Sequence, residues 1–493
     1  MKQKNKPAAK QLRATKNSVV NSPAKFPEVL RHYFCRYDII ILFIVLFIAY
    51  NTATGIGLTS SDVVPASILP IELITNHNVY FDVFTSSFSN PDVSYAFPFV
   101  HGHYVSLFPI VTPVLVTPIY AISYFLSNLF GIVPFGSNDF YILAKSAASV
   151  IAALAGVLVY LSGKELFSKR VAILTTFLFA FATSTWSVSS RALWQQGTVE
   201  LLLIALIYLI IKNEKKESLV YIVLLGILSG LFVFNRPPES LLLLPVFFYI
   251  VWYQRTKIHY YLAGGLLGGL PFLYYNYSLF GNVFGGYAEN LSLFAVNTGF
   301  VVQYLGLLFS PNVGLFIYCP VLLLSIAGFY VIWMARDSPM RSLLIVAGLA
   351  VLLEILLYSF FVPWASSAAF CFGLRFLTGL VPILCIYTGY FLEEWFGTGK
   401  ARHQGSGKWI AIAVVSGLII SSIGIQFIGT FFYIWSSNAN KTMNDDRAWN
   451  TTDSVIVKSY TEGASKLPGV SIYTLPPIPP LFEYSFSRVS AQG

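Results

Sequence analysis

VSLFPIVTPVLVTPIYAISYFLSNL, residues 105–129, is the stretch whose reading fixes the topology. It is apolar and long enough for a crossing, which takes about 20 residues of helix. Yet Pro109, Pro113 and Pro118 interrupt it, and an interior proline costs a helix about 3 kcal/mol. If this stretch crosses the bilayer, every later loop changes sides. If it is re-entrant or lies along the surface, spans follow at roughly 140–162, 171–187, 197–211, 219–234, 240–253, 258–279, 314–334, 341–361, 375–392 and 409–432.

The basic residues choose between these readings. With 105–129 not crossing, the inner loops hold Lys164, Lys169 and Arg170; Lys212, Lys215 and Lys216; Arg255 and Lys257; Arg336 and Arg341; and Lys400, Arg402 and Lys408. The alternative puts all thirteen outside while the tail at 1–37, with nine cations against Glu28, stays inside. Cytoplasmic loops carry the excess of Lys and Arg, so the first reading is preferred. With the first run at 38–57 it gives about eleven transmembrane helices. The expected organisation is a disordered basic cytoplasmic tail (1–37), a transmembrane catalytic domain (38–432) and a short outer C-terminal segment (433–493).

Composition agrees. The chain is 56% hydrophobic and 11% charged, with mean hydropathy +0.68, where a soluble domain carries about 25% charged residues. The expected class is an all-α polytopic membrane protein in the cell membrane. The net charge of +9 is spread over short loops and the tail, which is the pattern of membrane orientation and implies no nucleic acid. Four cysteines (Cys35, Cys319, Cys371, Cys385) lack metal-ligand spacing. The first run ends without a small-residue cleavage site, so no cleavable signal is expected.

The segment 58–139 holds Asp62, Glu72, Asp82, Asp92 and Asp139, three histidines (His77, His101, His103) and neither Lys nor Arg. It is read as the first outer loop. Setting aside the tail, inner loops and C-terminal segment leaves four cations, Lys145, Arg191, Arg236 and Arg375, all at outer ends of spans. Glu200 and Glu354 fall within spans, in their outer halves. Charges inside a bilayer are costly and usually functional. Taken singly, each cation is as well explained by snorkelling to headgroups. Four on the face of the acidic loop point to a shared anion, and arginine's planar fork suits phosphate. Asp62 follows the first span by a few residues, so it is tied to the surface where a lipid-linked phosphate lies. It is the candidate general base. Asp92, His101, His103, Gln195, Glu200 and Trp364 are possible substrate contacts. The histidines are more often ordinary loop residues than metal ligands, so no metal site is expected.

These features resemble the GT-C superfamily of membrane glycosyltransferases, in particular family 39-like proteins such as protein O-mannosyltransferases and aminoarabinose transferases. The resemblance is carried by Ser-Ser-Asp62, Leu-Phe-Pro-Ile-Val-Thr-Pro (107–113), Ala-Lys145-Ser, Arg-Ala-Leu-Trp-Gln-Gln-Gly (191–197), Gly-Leu-Leu-Phe-Ser-Pro-Asn-Val-Gly-Leu-Phe (306–316) and Phe-Gly-Leu-Arg-Phe-Leu-Thr-Gly-Leu-Val-Pro (372–382). It covers roughly 38–392 in short, degenerate motifs. The chain departs from the pattern at His101-Gly-His103, where relatives often carry a second acid, and at Gln195-Gln196, often Gln-His. The resemblance implies inverting transfer of a hexosyl or pentosyl group from a polyprenyl-phosphate donor to an outer acceptor (protein, lipid or glycan), without nucleotide sugar or other cofactor, among membrane lipids. The competing classes are a lipid-linked substrate transporter or flippase, which places ionisable residues near the midplane in repeated halves, and a polysaccharide polymerase or ligase.

Overall fold

In a computed structural model, the described residues are 37–52, 60–84, 94–131, 135, 137–336, 338–368, 371–373, 375–396, 406–433 and 443–464. The tail at 1–36, Asp92 and the proline-rich stretch at 475–481 lie outside them. The chain divides into two units, 1–42 and 43–493. Apart from the start of the first helix, everything described below lies in the second.

The chain is a helical membrane protein. Its helices, in order, are α1 (Asp38–Asn51), α2 (Val64–Thr75), α3 (Val111–Leu129), α4 (Ser137–Leu166), α5 (Lys169–Phe181), α6 (Gln195–Lys215), α7 (Leu219–Asn235), α8 (Leu244–Tyr253), α9 (Ile258–Phe280), α10 (Phe300–Phe309), α11 (Leu324–Trp333), α12 (Pro339–Ser359), α13 (Val381–Phe396), α14 (Ser406–Phe431) and α15 (Val455–Ala464). Shorter helical turns join some of them. Among the described residues four helices are long and apolar enough to cross a membrane: Tyr141–Leu166 of α4, then α6, α12 and Trp409–Phe431 of α14. Of the other expected spans, that at 258–279 maps onto the unbroken 23-residue α9, and the rest map onto shorter or broken helices. The run expected at 314–334 is cut at Cys319–Pro320 into two short turns and α11, because Pro320 has no N–H for the helix ladder. The loop expected at 280–313 contains α10.

The decisive stretch 105–129 forms one helix from Val111, continuous through Pro118. Pro113 sits in its first turn, where the missing N–H costs nothing. Val111, Thr112, Val116 and Tyr120 are buried, while Ile122, Phe125, Leu129 and Phe130 are exposed, giving one apolar face inward and another outward. Its inner face packs with α2, Phe81, Phe84, Phe97 and the start of α4 in a second apolar core, which reaches Leu193, Phe272 and Tyr275. The main core lies around α6, α12 and α13. The loop segment therefore sits against one end of the helical body, and that end carries the site.

Two small-residue seams set the spacing of that body. A Cβ on Gly226 or Gly230 of α7 would land on backbone of α9, and one on Gly264 or Gly268 would land on α7. A Cβ on Gly328 of α11 would land on the Tyr387 carbonyl of α13. Between apolar helices in lipid, close backbone approach at small residues replaces the hydrophobic drive available in water. The C-terminal segment is also attached. Asn312 donates to Arg447 O (2.8 Å) and Asn450 O (2.9 Å), and accepts from Val455 N–H (2.8 Å). Gly230→Leu should force α7 from α9, an overpacking cost of about 1–3 kcal/mol. It should lower the melting temperature in detergent, whereas Gly417→Leu, with open space at its Cβ, should not.

Candidate active site

The site is built on an irregular segment between α5 and α6. After Phe181 the chain makes a turn of π-helix at Thr185–Ser189, then runs without helix to Trp194. This whole passage is buried, so its peptide groups need partners supplied from elsewhere. Ser190 O accepts from Lys145 Nζ of α4 at 2.6 Å and from Ser149 Oγ at 3.4 Å. Gln195 O accepts from Asn235 Nδ2 at 3.0 Å. Asn235 Oδ1 and Thr198 Oγ1 each lie 2.8 Å from the Thr112 hydroxyl of α3. One buried polar node thus ties the loop-layer helix to α6 and α7.

All four expected cations gather around this segment, in different ways. Lys145 is bound to its backbone. Arg191 belongs to it, and donates to Gly429 O (2.8 Å) and Tyr433 O (3.5 Å) at the end of α14, over the Tyr433 ring. Arg236, at the C-cap of α7, donates to Gln195 Oε1 (3.2 Å) and Tyr358 OH (2.9 Å). With its amide oxygen turned to the guanidinium, Gln196 accepts two further bonds at 3.2 Å. Arg236 Nε also lies 2.5 Å from Glu239 Oε1, an ion pair whose angle does not make a hydrogen bond. These three cations are mostly spent on the protein.

Arg375 is different. It donates through Nη1 to Asp62 Oδ2 at 2.6 Å, across 313 residues of sequence. Its guanidinium lies 4.7 Å from the centre of the Trp194 ring and 5.2 Å from that of Phe376, and its Nε has no hydrogen-bond partner. Phe376 also faces Arg236, at 5.6 Å. Asp62 sits in the short turn Ser61–Val63 that opens α2, with its N–H on Ser60 Oγ (3.2 Å). Val63 packs with Ala192, Trp194 and Cys371, which holds the carboxylate against the irregular segment. Its other oxygen, Oδ1, accepts from the Tyr95 hydroxyl. Asp62 keeps 20% of its side chain exposed and Arg375 11%, so the pair is reachable from outside.

The other candidate residues are dispersed. Phe99–Val100 and His103–Tyr104 pair as a two-stranded hairpin (β1, β2). His101 and Gly102 form its two-residue turn, both with positive φ (52° and 89°), the backbone that the twist of a hairpin favours. His101 is therefore an exposed turn residue. His103 Nδ1 lies 2.6 Å from Asp82 Oδ2, and its ring stacks on Tyr80 at 3.9 Å. Asp82 also accepts from Tyr104 N–H, so this acid fastens the hairpin. Glu200 is wholly buried and accepts from Thr185 Oγ1 at 2.8 Å. Trp364 is fully buried against Gly306, and its indole offers no surface to a substrate. Glu354 is buried, with neither oxygen hydrogen-bonded. Sequence reasoning missed Tyr95, which no local signal marks. Asn235 and Glu239, which flank Arg236 in Phe-Asn-Arg-Pro-Pro-Glu (234–239) and hold its neighbourhood, carry no signal that sets them apart in the sequence.

Residues 118–275 match the sequence family described as dolichyl-phosphate-mannose-protein mannosyltransferase. The match covers about a third of the chain, so it is a similarity of that segment to the family. It contains Lys145, Arg191, Gln195 and Arg236, but neither Asp62 nor Arg375. No curated protein matches the chain. Among solved structures, the archaeal oligosaccharyltransferase AglB from Archaeoglobus fulgidus, in complex with an inhibitory peptide and a dolichol-phosphate, is similar at TM-score 0.48 and 13% identity, over 81% of this chain and 56% of that one. A second Archaeoglobus fulgidus oligosaccharyltransferase, solved with Zn and sulfate, is similar at TM-score 0.40 and 14% identity, over 75% and 53%. The chain spans about half the length of these structures.

One acid in the loop layer is placed to respond to pH. Glu72 of α2 is buried, with Oε2 on Asn76 Nδ2 (2.8 Å) and Oε1 unpartnered. Burial pushes its carboxyl up to about 7, against the Asn76 bond and with a contribution from Asp82. A raised acid favours the folded state while protonated. Its stabilisation is complete below the unfolded value near 4.5 and is lost as pH rises through about 7. The melting temperature in detergent should therefore fall between pH 5 and pH 8, and Glu72→Gln should flatten that fall.

Proposed function

We propose that the protein transfers one sugar from a polyprenyl-phosphate-linked donor to an acceptor hydroxyl on the outer face of the membrane. In this reading Asp62 is the general base and Arg375 receives the departing phosphate. The observation that carries it is the ion pair of Asp62 and Arg375, in which Asp62 keeps 20% of its side chain exposed and Arg375 has a buried Nε without a hydrogen-bond partner. A carboxylate beside an arginine with an unpaired donor matches what a single displacement needs. One group takes the acceptor proton, and the other meets charge developing on the leaving oxygen.

The acceptor oxygen bonds to the anomeric carbon as the bond from that carbon to the phosphate oxygen breaks. The electron pair leaves on the phosphate, towards Arg375, and the acceptor proton goes to Asp62. A single displacement inverts the anomeric centre. Lys145, Arg191 and Arg236 hold the irregular segment that carries Trp194, and Trp194 backs Arg375. Their role is to position the phosphate site more than to bind the phosphate. The outer-face assignment follows from the distribution of loop cations. The description of the matched family names a mannosyl donor, which makes mannosyl-phosphoryl-dolichol the first donor to try in a panel of polyprenyl-phosphate sugars.

Two substitutions separate the roles. Asp62→Asn keeps the size of the side chain but cannot take a proton, so kcat for donor consumption should fall about 10²–10⁴-fold with donor KM little changed. Arg375→Gln removes a charge-assisted phosphate contact, a loss of about 1.5–3 kcal/mol, and should raise donor KM as well as lower kcat. Parental rates in both variants would remove the pair from the chemistry.

A further inference from the structure

Asp62 has two carboxylate oxygens, and both are occupied. Oδ2 faces Arg375, the side that the transferase reading gives to the donor phosphate. Oδ1 faces the Tyr95 hydroxyl, which donates to it. A general base must present a free lone pair to the acceptor hydroxyl, within about 2.6–3.2 Å. The phenol holds the seat that an acceptor O–H would take, with the same donor chemistry and on the side away from the phosphate. It is itself an O–H group hydrogen-bonded to the base.

The surroundings let it leave. The Tyr95 backbone is fixed on both sides: Phe97 N–H bonds Ser94 O at 3.0 Å, and Leu107 N–H bonds Ala96 O at 3.0 Å. The side chain is 47% exposed, touching Phe108 edge-on at 6.4 Å between ring centres. A rotation about the Tyr95 side-chain torsions would free Oδ1 without undoing the turn, and the released phenol would bond to water. Removal of the hydroxyl therefore costs the fold little, since a hydrogen bond lost at an exposed site is replaced by solvent.

Building on the transferase reading, we propose that Tyr95 is an acceptor-side positioning residue whose hydroxyl occupies the acceptor seat on Asp62 until an acceptor displaces it. It guards the base from water while donor is bound and so suppresses wasteful hydrolysis. In that side reaction, water bonds to the anomeric carbon, the bond to the phosphate oxygen breaks, and the water proton goes to Asp62. The phosphate carries away the electron pair.

The test is hydrolysis of mannosyl-phosphoryl-dolichol, or of whichever panel donor the parent consumes, by the purified protein without added acceptor. Tyr95→Phe keeps the ring and removes only the hydroxyl. It should raise the hydrolytic kcat about tenfold, as expected for releasing one hydrogen bond to a charged group, with donor KM unchanged. The gain must pass through Asp62, so Asp62→Asn combined with Tyr95→Phe should hydrolyse no faster than Asp62→Asn alone. A purely structural role would lower kcat or shift KM, and a proton-relay role would lower kcat; either result overturns the inference. An active parent with an equally active Tyr95→Phe overturns this inference alone. A parent that consumes no donor in the panel overturns it together with the transferase reading.

Discussion

The constraint on which the site depends is the need to satisfy a buried, non-helical backbone. Between α5 and α6 the chain gives up α-helical hydrogen bonding over Ala182–Trp194, keeping only one π-helical turn, while remaining buried. Unpaired peptide groups in an apolar surrounding cost several kcal/mol each. Lys145, Ser149 and Asn235 supply donors to Ser190 and Gln195 from two other helices. Those bonds put Trp194 where it can back Arg375, and Ala192 where it packs beside Val63. The ion pair of Asp62 and Arg375 inherits its position from that accounting.

This gives the charged residues two different tasks. Arg191 and Arg236 each anchor a helix end, at Gly429 and at Gln195. Arg236 carries further partners in Tyr358, Gln196 and Glu239. A guanidinium so engaged has little left for a ligand. Arg375 bonds a single carboxylate and rests on aromatic faces, which stabilise its charge without using its N–H donors. A phosphate arriving there competes with Asp62 for the same cation. On the proposed reading, donor binding would then loosen the carboxylate assigned as the base.

Much of the helical layout was legible in the sequence, because long apolar runs need no distant information to be read. The runs at 197–211, 341–361 and 409–432 correspond to α6, α12 and α14, among the helices able to span a bilayer. Within the run at 314–334 the helix is broken at Cys319–Pro320, which hydropathy alone does not show. Asp62 and the four cations were legible as charges out of place. Their division into anchors and one open arginine was not, since it depends on carbonyls at Ser190, Gly429 and Tyr433 that any sequence would possess. Trp364 stands among the possible substrate contacts in sequence, yet it is fully buried, with Gly306 of a different helix against its ring. Tyr95 lies 33 residues from Asp62 and carries no pattern of its own; only the fold of the loop layer brings the two together.

The central claim is that a lipid-linked phosphate binds at Arg375 opposite Asp62. An experimental structure of the protein with a polyprenyl phosphate bound tests it most directly. The account predicts the phosphate on the Arg375 guanidinium, beside Trp194 and Phe376, with Asp62 parted from the guanidinium and turned to the space beside it. A phosphate held instead by the loop cations around Lys212 and Lys215, with the pair of Asp62 and Arg375 undisturbed, would contradict it.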